Sequence, residues 1–183
     1  MATKELTVLS AHASDIPAIQ SLARQIWNDC YPGIISHEQI AYMLAKMYST
    51  PVIERELASG VAYELARLGG EGVGFLSYSL ELRTRELTLH KLYLLKEQQG
   101  KGLGQQLLEH VKRKARGLKA GTISLRVNRQ NQKAIAAYQR AGFVVAETNV
   151  ADIGGGFVMD DYIMKCSGLL EPSQIPQHAR GPQ

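Results

Sequence analysis

Long apolar runs are missing from this chain of 183 residues. No stretch approaches the roughly 20 consecutive apolar residues that a bilayer-spanning helix needs. The opening Met1-Ala2-Thr3-Lys4-Glu5 has no apolar leader core. A cytoplasmic protein without a membrane partner is therefore expected. Cysteine is scarce as well. Cys30 and Cys166 have no near-spaced cysteine or companion histidines, which excludes a disulfide framework and supplies no zinc ligand set, so no metal is expected. Charge of one sign does not dominate either: 21 Lys and Arg stand against 17 Asp and Glu. The pI near 9.1 raises the question of nucleic acid. Its main cluster, Lys112, Arg113, Lys114, Arg116 and Lys119, falls on one helical pattern with no interleaved aromatics and no recognition-helix signature. It reads as a solvated face, and no specific nucleic-acid binding is expected.

What is present fits one soluble domain. Hydrophobic residues make up 45% and charged residues 21%, a globular balance, and the length suffices to bury a core. Leu6 and Val8 alternate in a first strand. Ser14 or Asp15 then caps a helix with Pro17 in its first turn, running to about Cys30, where Tyr31-Pro32-Gly33 breaks it. Ser36 and Gln39 form a capping-box pattern for a second helix through Met47, and Pro51 opens a shorter one ending near Gly60. Residues 61–68, 72–83 and 86–95 read as antiparallel strands, with Gly69-Gly70 as a tight turn. A helix, a strand, a helix and two strands follow. This order predicts one mixed sheet with helices on both faces. We expect the domain to occupy 1–166; residues 167–183, with three of the six prolines and little periodicity, read as a loosely ordered tail.

Three alternating glycines in Gln98-Gln99-Gly100-Lys101-Gly102-Leu103-Gly104 lie between the apolar Leu92-Tyr93-Leu94-Leu95 and a helical pattern carried by Leu103, Leu107, Leu108 and Val111. Glycines at such a junction admit positive φ, and the first helical N–H groups point at whatever anion binds. Two nucleotide motifs fail here. A P-loop needs Ser or Thr after its Gly-Lys, and Lys101 is followed by Gly102. A dinucleotide fingerprint needs a further Gly or Ala three positions on, where this chain has Gln105 or Leu107.

The loop resembles the acyl-CoA pyrophosphate site of the GNAT superfamily of N-acetyltransferases, whose signature is Gln or Arg, two residues, Gly, one residue, then Gly or Ala. Gln99, Gly102 and Gly104 satisfy it. A second block adds weight: the alternating Ile123-Ser124-Leu125-Arg126-Val127 precedes a helical stretch from Asn131 to Gly142, and Asn131 and Tyr138 have the family's spacing of seven. Two helical turns put both on one face. Gly154 to Tyr162 looks like the family's closing hairpin, so the resemblance covers roughly residues 5 to 165. It implies a single mixed, mostly antiparallel sheet of about seven strands, with acetyl-CoA as co-substrate.

The resemblance also implies roles. Main-chain groups of Leu92, Tyr93 and Leu94 would hold the pantetheine arm and face the thioester oxygen. The amides of Gly100, Lys101, Gly102, Leu103, Gly104 and Gln105 would hold the pyrophosphate, with Gln99 beside them, and Asn131 would contact the pantetheine or serve as a helix N-cap. Tyr138 would protonate the departing CoA thiolate. An acceptor amine of pKa near 10.4 must lose a proton at a cost of about 4.6 kcal/mol at pH 7. His90, two before Leu92 and thus on its face of a regular strand, is the candidate base, with ordered water as the alternative. Trp27, Tyr31 and Tyr162 are candidates for an acceptor wall, as are Tyr42, Met43, Tyr48, Asp160 and Asp161. The acceptor is expected to be a small-molecule or peptide amine. A non-catalytic acyl-CoA-binding module is the other reading, and a homodimer through an edge strand or the last hairpin fits the fold.

Overall fold

A computed structural model describes residues 5–170. Seven strands form one sheet in the order β1-β2-β3-β4-β5-β7-β6. They are β1 (Leu6–Ser10), β2 (Ala62–Leu68), β3 (Glu71–Glu81), β4 (Glu86–Leu94), β5 (Thr122–Asn128), β6 (Val144–Gly154) and β7 (Phe157–Ser167). Every neighbouring pair is antiparallel except β4 and β5. The helices are α1 (Ile16–Cys30), α2 (His37–Tyr48), α3 (Thr50–Ala58), α4 (Leu103–Gly117) and α5 (Gln132–Arg140). The mixed sheet and the element order agree with the expectation from sequence. Of the expected tail, Ser167 ends β7 and Leu169 is buried; residues 171–183 lie outside the described residues.

Cross-strand register explains which helix covers which face, because directly opposed residues project to one side. Tyr63, Ser77 and Lys91 are aligned across β2, β3 and β4. Lys91 pairs with Glu56 of α3 at 2.8 Å, and Tyr63 donates to the same carboxylate. The α1–α3 layer therefore covers this face. Its seam is aromatic: Trp27 lies 6.0 Å from Tyr93, and Phe75 lies 5.4 Å from Tyr93 and 5.9 Å from Tyr48. Offset and edge contacts of this kind favour one fixed arrangement. Glu64 and Leu76 project to the other face. There α4 meets Glu64 through His110 at 2.6 Å and Lys114 at 2.8 Å. Gln105 of α4 donates to the Ala137 carbonyl, tying α5 alongside.

Two local expectations are corrected. Ser36 does cap α2, accepting from the Gln39 N–H at 3.1 Å, but Gln39 does not return the bond to close a box. Its buried amide instead donates to the Val158 carbonyl at 3.1 Å, docking α2 onto β7. At the start of α1 Asp15 is the N-cap and Pro17 lies in the first turn, as expected, but the Asp15 side chain makes no bond to the helix and instead accepts from the His12 N–H at 2.9 Å across a preceding 3₁₀ turn.

β4 is not a regular strand. Ser77 faces Lys91 and Tyr78 faces Leu89, which leaves His90 as the extra residue of a bulge. The parallel ladder with β5 covers only Glu86–Leu89 against Thr122–Leu125. Beyond Leu89 and Leu125 the two strands have no ladder between them, and a cavity opens where they part.

Candidate active site

The cavity holds about 1010 Å³, the size expected of a ligand site. Because it opens between two strands of the sheet, both helical layers line it. Ala134 and Tyr138 come from α5 and Asn131 from its N-cap, Trp27 and Cys30 from α1, and Met43 and Met47 from α2. Leu92, Tyr93 and Leu94 line it from β4, and on the side toward β5 no strand pairs with them, leaving that edge of the main chain for a ligand.

The glycine loop closes one end. Gly100 and Gly102 have φ of +77° and +79°, and a Cβ built on either would meet nothing within 4 Å. Their Cα faces open onto space, and both line the cavity, as does Gly104. Among the described residues, the N–H groups of Gly100, Lys101, Gly102, Leu103 and Gly104 have no hydrogen-bond acceptor. Five free amides at the start of a 15-residue helix form an anion cradle. The Gln105 N–H is excluded from this set, because it already bonds the Gly102 carbonyl at 3.1 Å within the first turn; the Gln105 side chain still lines the cavity. Lys101 turns away from it, and its ammonium bonds Gln98 at 3.3 Å. Leu103 is buried in the core and offers only its amide.

Gln99 ties the loop in place. Its amide donates to the Leu94 carbonyl at 3.0 Å and to Cys30 Sγ at 3.3 Å, while its oxygen accepts from Lys133 at 2.8 Å. Burial pushes the Cys30 thiol above its ordinary value, which disfavours a thiolate nucleophile there.

Asn131 and Tyr138 both line the cavity. Asn131 is the N-cap of α5, its Oδ1 accepting from the Ala134 N–H at 3.2 Å. Tyr138 packs 5.8 Å from Phe143, and burial pushes its phenol up to about 12. It therefore holds its proton throughout the neutral range. On the other side of the sheet, Trp27 stacks on Tyr31 at 4.4 Å and both reach the cavity. Tyr48 does not line it; its hydroxyl accepts from Trp27 Nε1 inside the core. Tyr42 holds the β6–β7 turn instead, donating to the Ile153 carbonyl at 2.7 Å, where Gly154 and Gly155 leave room for its ring.

His90 reaches the cavity from the bulge and its Nε2 lies 2.7 Å from Ser79 Oγ. The expectation that it shares a face with Leu92 is corrected. Leu92 faces Leu76 and Leu89 faces Tyr78, so the extra residue hands Leu92's face to Leu89, and His90 turns to the side of Ser79. Its side chain is exposed at the bulge, yet partial desolvation and then the neighbouring Lys91 hold its imidazole below the ordinary value of 6.5. Tyr162 lies outside the cavity lining, its ring beneath the Arg129 guanidinium at 5.2 Å. Its neighbour Asp161 faces inward and lines the cavity, while Asp160 bonds Arg129 at 3.2 Å. Alternation along β7 separates the two carboxylates as expected. The β6–β7 hairpin adds Asn149, Ile153 and Met159 to the lining, residues that no local motif marks.

A bulged strand, a gap between parallel neighbours and an amide cradle suit a long ligand with an anionic end, and the relatives of the chain bear on what it is. It is 35% identical over 85 residues to the 5-NmdU N-acetyltransferase of Pseudomonas phage PaMx11, across 46% of this chain and 59% of that relative's length. It is 28% identical over 153 residues to the spermidine N(1)-acetyltransferase of Thermoplasma acidophilum, across 80% of this chain and 90% of the other. The crystal structure of the PaiA N-acetyltransferase from Thermoplasma acidophilum in complex with coenzyme A superposes with a TM-score of 0.74 at 23% identity, over 89% of this chain and 99% of that one. The Escherichia coli ribosomal-protein-S18-alanine N-acetyltransferase follows the same fold, with a TM-score of 0.70 at 21% identity over 94% and 99%. The pattern of the Acetyltransferase (GNAT) family matches residues 21–143, taking in the glycine loop, Asn131 and Tyr138, and the chain belongs to that family.

Proposed function

We propose that the protein transfers an acetyl group from acetyl-CoA to a primary amine by direct attack in a ternary complex. The observation that carries this reading is the single cavity joining the five free amides of Gly100–Gly104 to Tyr138 and the parted edge of β4. The loop amides would hold the pyrophosphate, and the open edge of Leu92–Leu94 the pantetheine arm. Acetyl-CoA supplies the activated thioester. The amine lone pair forms a bond to the carbonyl carbon, an N–H of β4 steadies the developing oxyanion, and the C–S bond breaks as the tetrahedral centre collapses. Tyr138, protonated and in the cavity wall, gives its proton to the leaving sulfur. The amine loses its protons to solvent, through ordered water or His90, and Tyr138 regains one from the same source.

Retention of Tyr138 in the wall favours an enzyme over a non-catalytic acyl-CoA-binding module, for which a donor at that point has no use. CoA-thiol release from acetyl-CoA, measured across a panel of primary amines alongside calorimetric binding of acetyl-CoA, tests the proposal. Amine-dependent release supports it, whereas binding with no release on any amine favours the module. A homodimer through the β6 edge belongs to the same reading, supported by exposed Val144 and Val150 on that strand and checked by sedimentation.

A further inference from the structure

We infer that Asp161 binds the acceptor's ammonium group, and that the acceptor is a primary amine with one positive charge and an apolar body. This rests on the transferase reading above and names the substrate class of the same site. Asp161 is 6% exposed, lines the cavity, and its Oδ1 has no hydrogen-bond partner among the described residues. A buried carboxylate oxygen without a partner is costly, and a cationic ligand is the direct remedy. The adjacent Asp160 is already engaged by Arg129. Burial pushes the Asp161 carboxyl above its ordinary value; Arg126, on the neighbouring strand and also lining the cavity, opposes this but makes no ion pair with Asp161 among the described residues.

The surroundings limit what else the ligand carries. Met43, Met47, Ile153 and Met159 supply apolar, adaptable wall on this side of the sheet. The other carboxylate lining the cavity, Asp29, is solvent-exposed on α1 and on the same helix as Cys30 beside the loop. A second ammonium, as in a polyamine, would thus find no buried counter-charge, and the carboxylate of an α-amino acid would be brought against Asp161.

The test is calorimetric titration of 2-phenylethylamine, spermidine and phenylalanine into the full-length protein saturated with CoA, for the wild type and Asp161→Asn, with CoA affinity measured on both. The inference expects 2-phenylethylamine to bind best, and the substitution to weaken it about tenfold or more with CoA affinity unchanged. Equal binding by Asp161→Asn overturns it, as does tighter wild-type binding of spermidine or phenylalanine, or no binding of 2-phenylethylamine. Should Asp161→Asn not fold, the wild-type order of the three ligands decides. If the amine binds through Asp161 yet the wild type releases no thiol from acetyl-CoA, the inference stands and the transferase reading falls.

Discussion

Gln99 Nε2 donates to the Leu94 carbonyl at 3.0 Å, so the residue opening the glycine loop is fastened to the end of the strand that borders the ligand gap. The same side chain receives Lys133 from α5. One amide therefore sets the loop against both cavity walls. Gln99→Ala is expected to weaken acetyl-CoA binding by about tenfold, the worth of a hydrogen-bonded positioning group. Calorimetry should show this with little change in melting temperature, since Gln99 is partly exposed and outside the core. Unchanged affinity would mean that the loop holds its shape without it.

Tyr138→Phe keeps the ring and its contact with Phe143 and removes only the hydroxyl, the proton donor of the proposed mechanism. Loss of an acid in the transition state lowers kcat by about 10²-fold or more. Acetyl-CoA affinity should remain within about threefold. Because burial pushes the phenol up to about 12, the wild-type rate should show no fall from Tyr138 ionisation up to pH 10. A variant with wild-type kcat would remove Tyr138 from the chemistry.

Partial desolvation and then Lys91 hold His90 below its ordinary value of 6.5, which favours the neutral imidazole. If it serves as base, kcat/KM rises with pH through a limb below 6.5, separate from the acceptor amine's own limb at higher pH. The acidic limb should disappear in His90→Gln. A limb that survives the substitution assigns the proton transfer to water.

Glu64 gives the fold an acid-sensitive joint. Burial alone would raise its carboxyl, but hydrogen bonds and charges from His110 and Lys114 outweigh that and hold it down to about 2. Its folded value thus lies below the ordinary 4.5, and its stabilisation is complete above that value and lost as pH falls toward 2. The contribution is at most about 3 kcal/mol at neutral pH. Urea unfolding should therefore weaken between pH 5 and 2, and Glu64→Gln should flatten that dependence. The same slope in the variant would place the acid sensitivity elsewhere.

Local order and the geometry of the glycine loop were legible in the sequence because their signals are short-range. The glycines at 100 and 102 mark positive φ, Ser36 caps α2, and the spacing of Asn131 and Tyr138 places both on one helical face. Each is a property of a few consecutive residues, set by backbone sterics and helical period. Other features needed the assembled sheet. His90 looked like a face-mate of Leu92 because a strand period of two assumes no bulge, and the bulge emerges only from the pairing of β4 with β3. Gln39 closes a capping box on paper, but docking of α2 against β7 draws its amide to Val158 instead. The sequence favoured Tyr162 over its β7 neighbour Asp161 as an acceptor-wall residue; packing of the α2 layer over one side of the hairpin decided that Asp161 faces the cavity and Tyr162 lies under Arg129. The chain by itself determined the elements and the amide cradle. The lining of the proposed acceptor end was decided by tertiary structure, since its residues come from α1, α2, β4 and the β6–β7 hairpin, and burial is a property of their meeting.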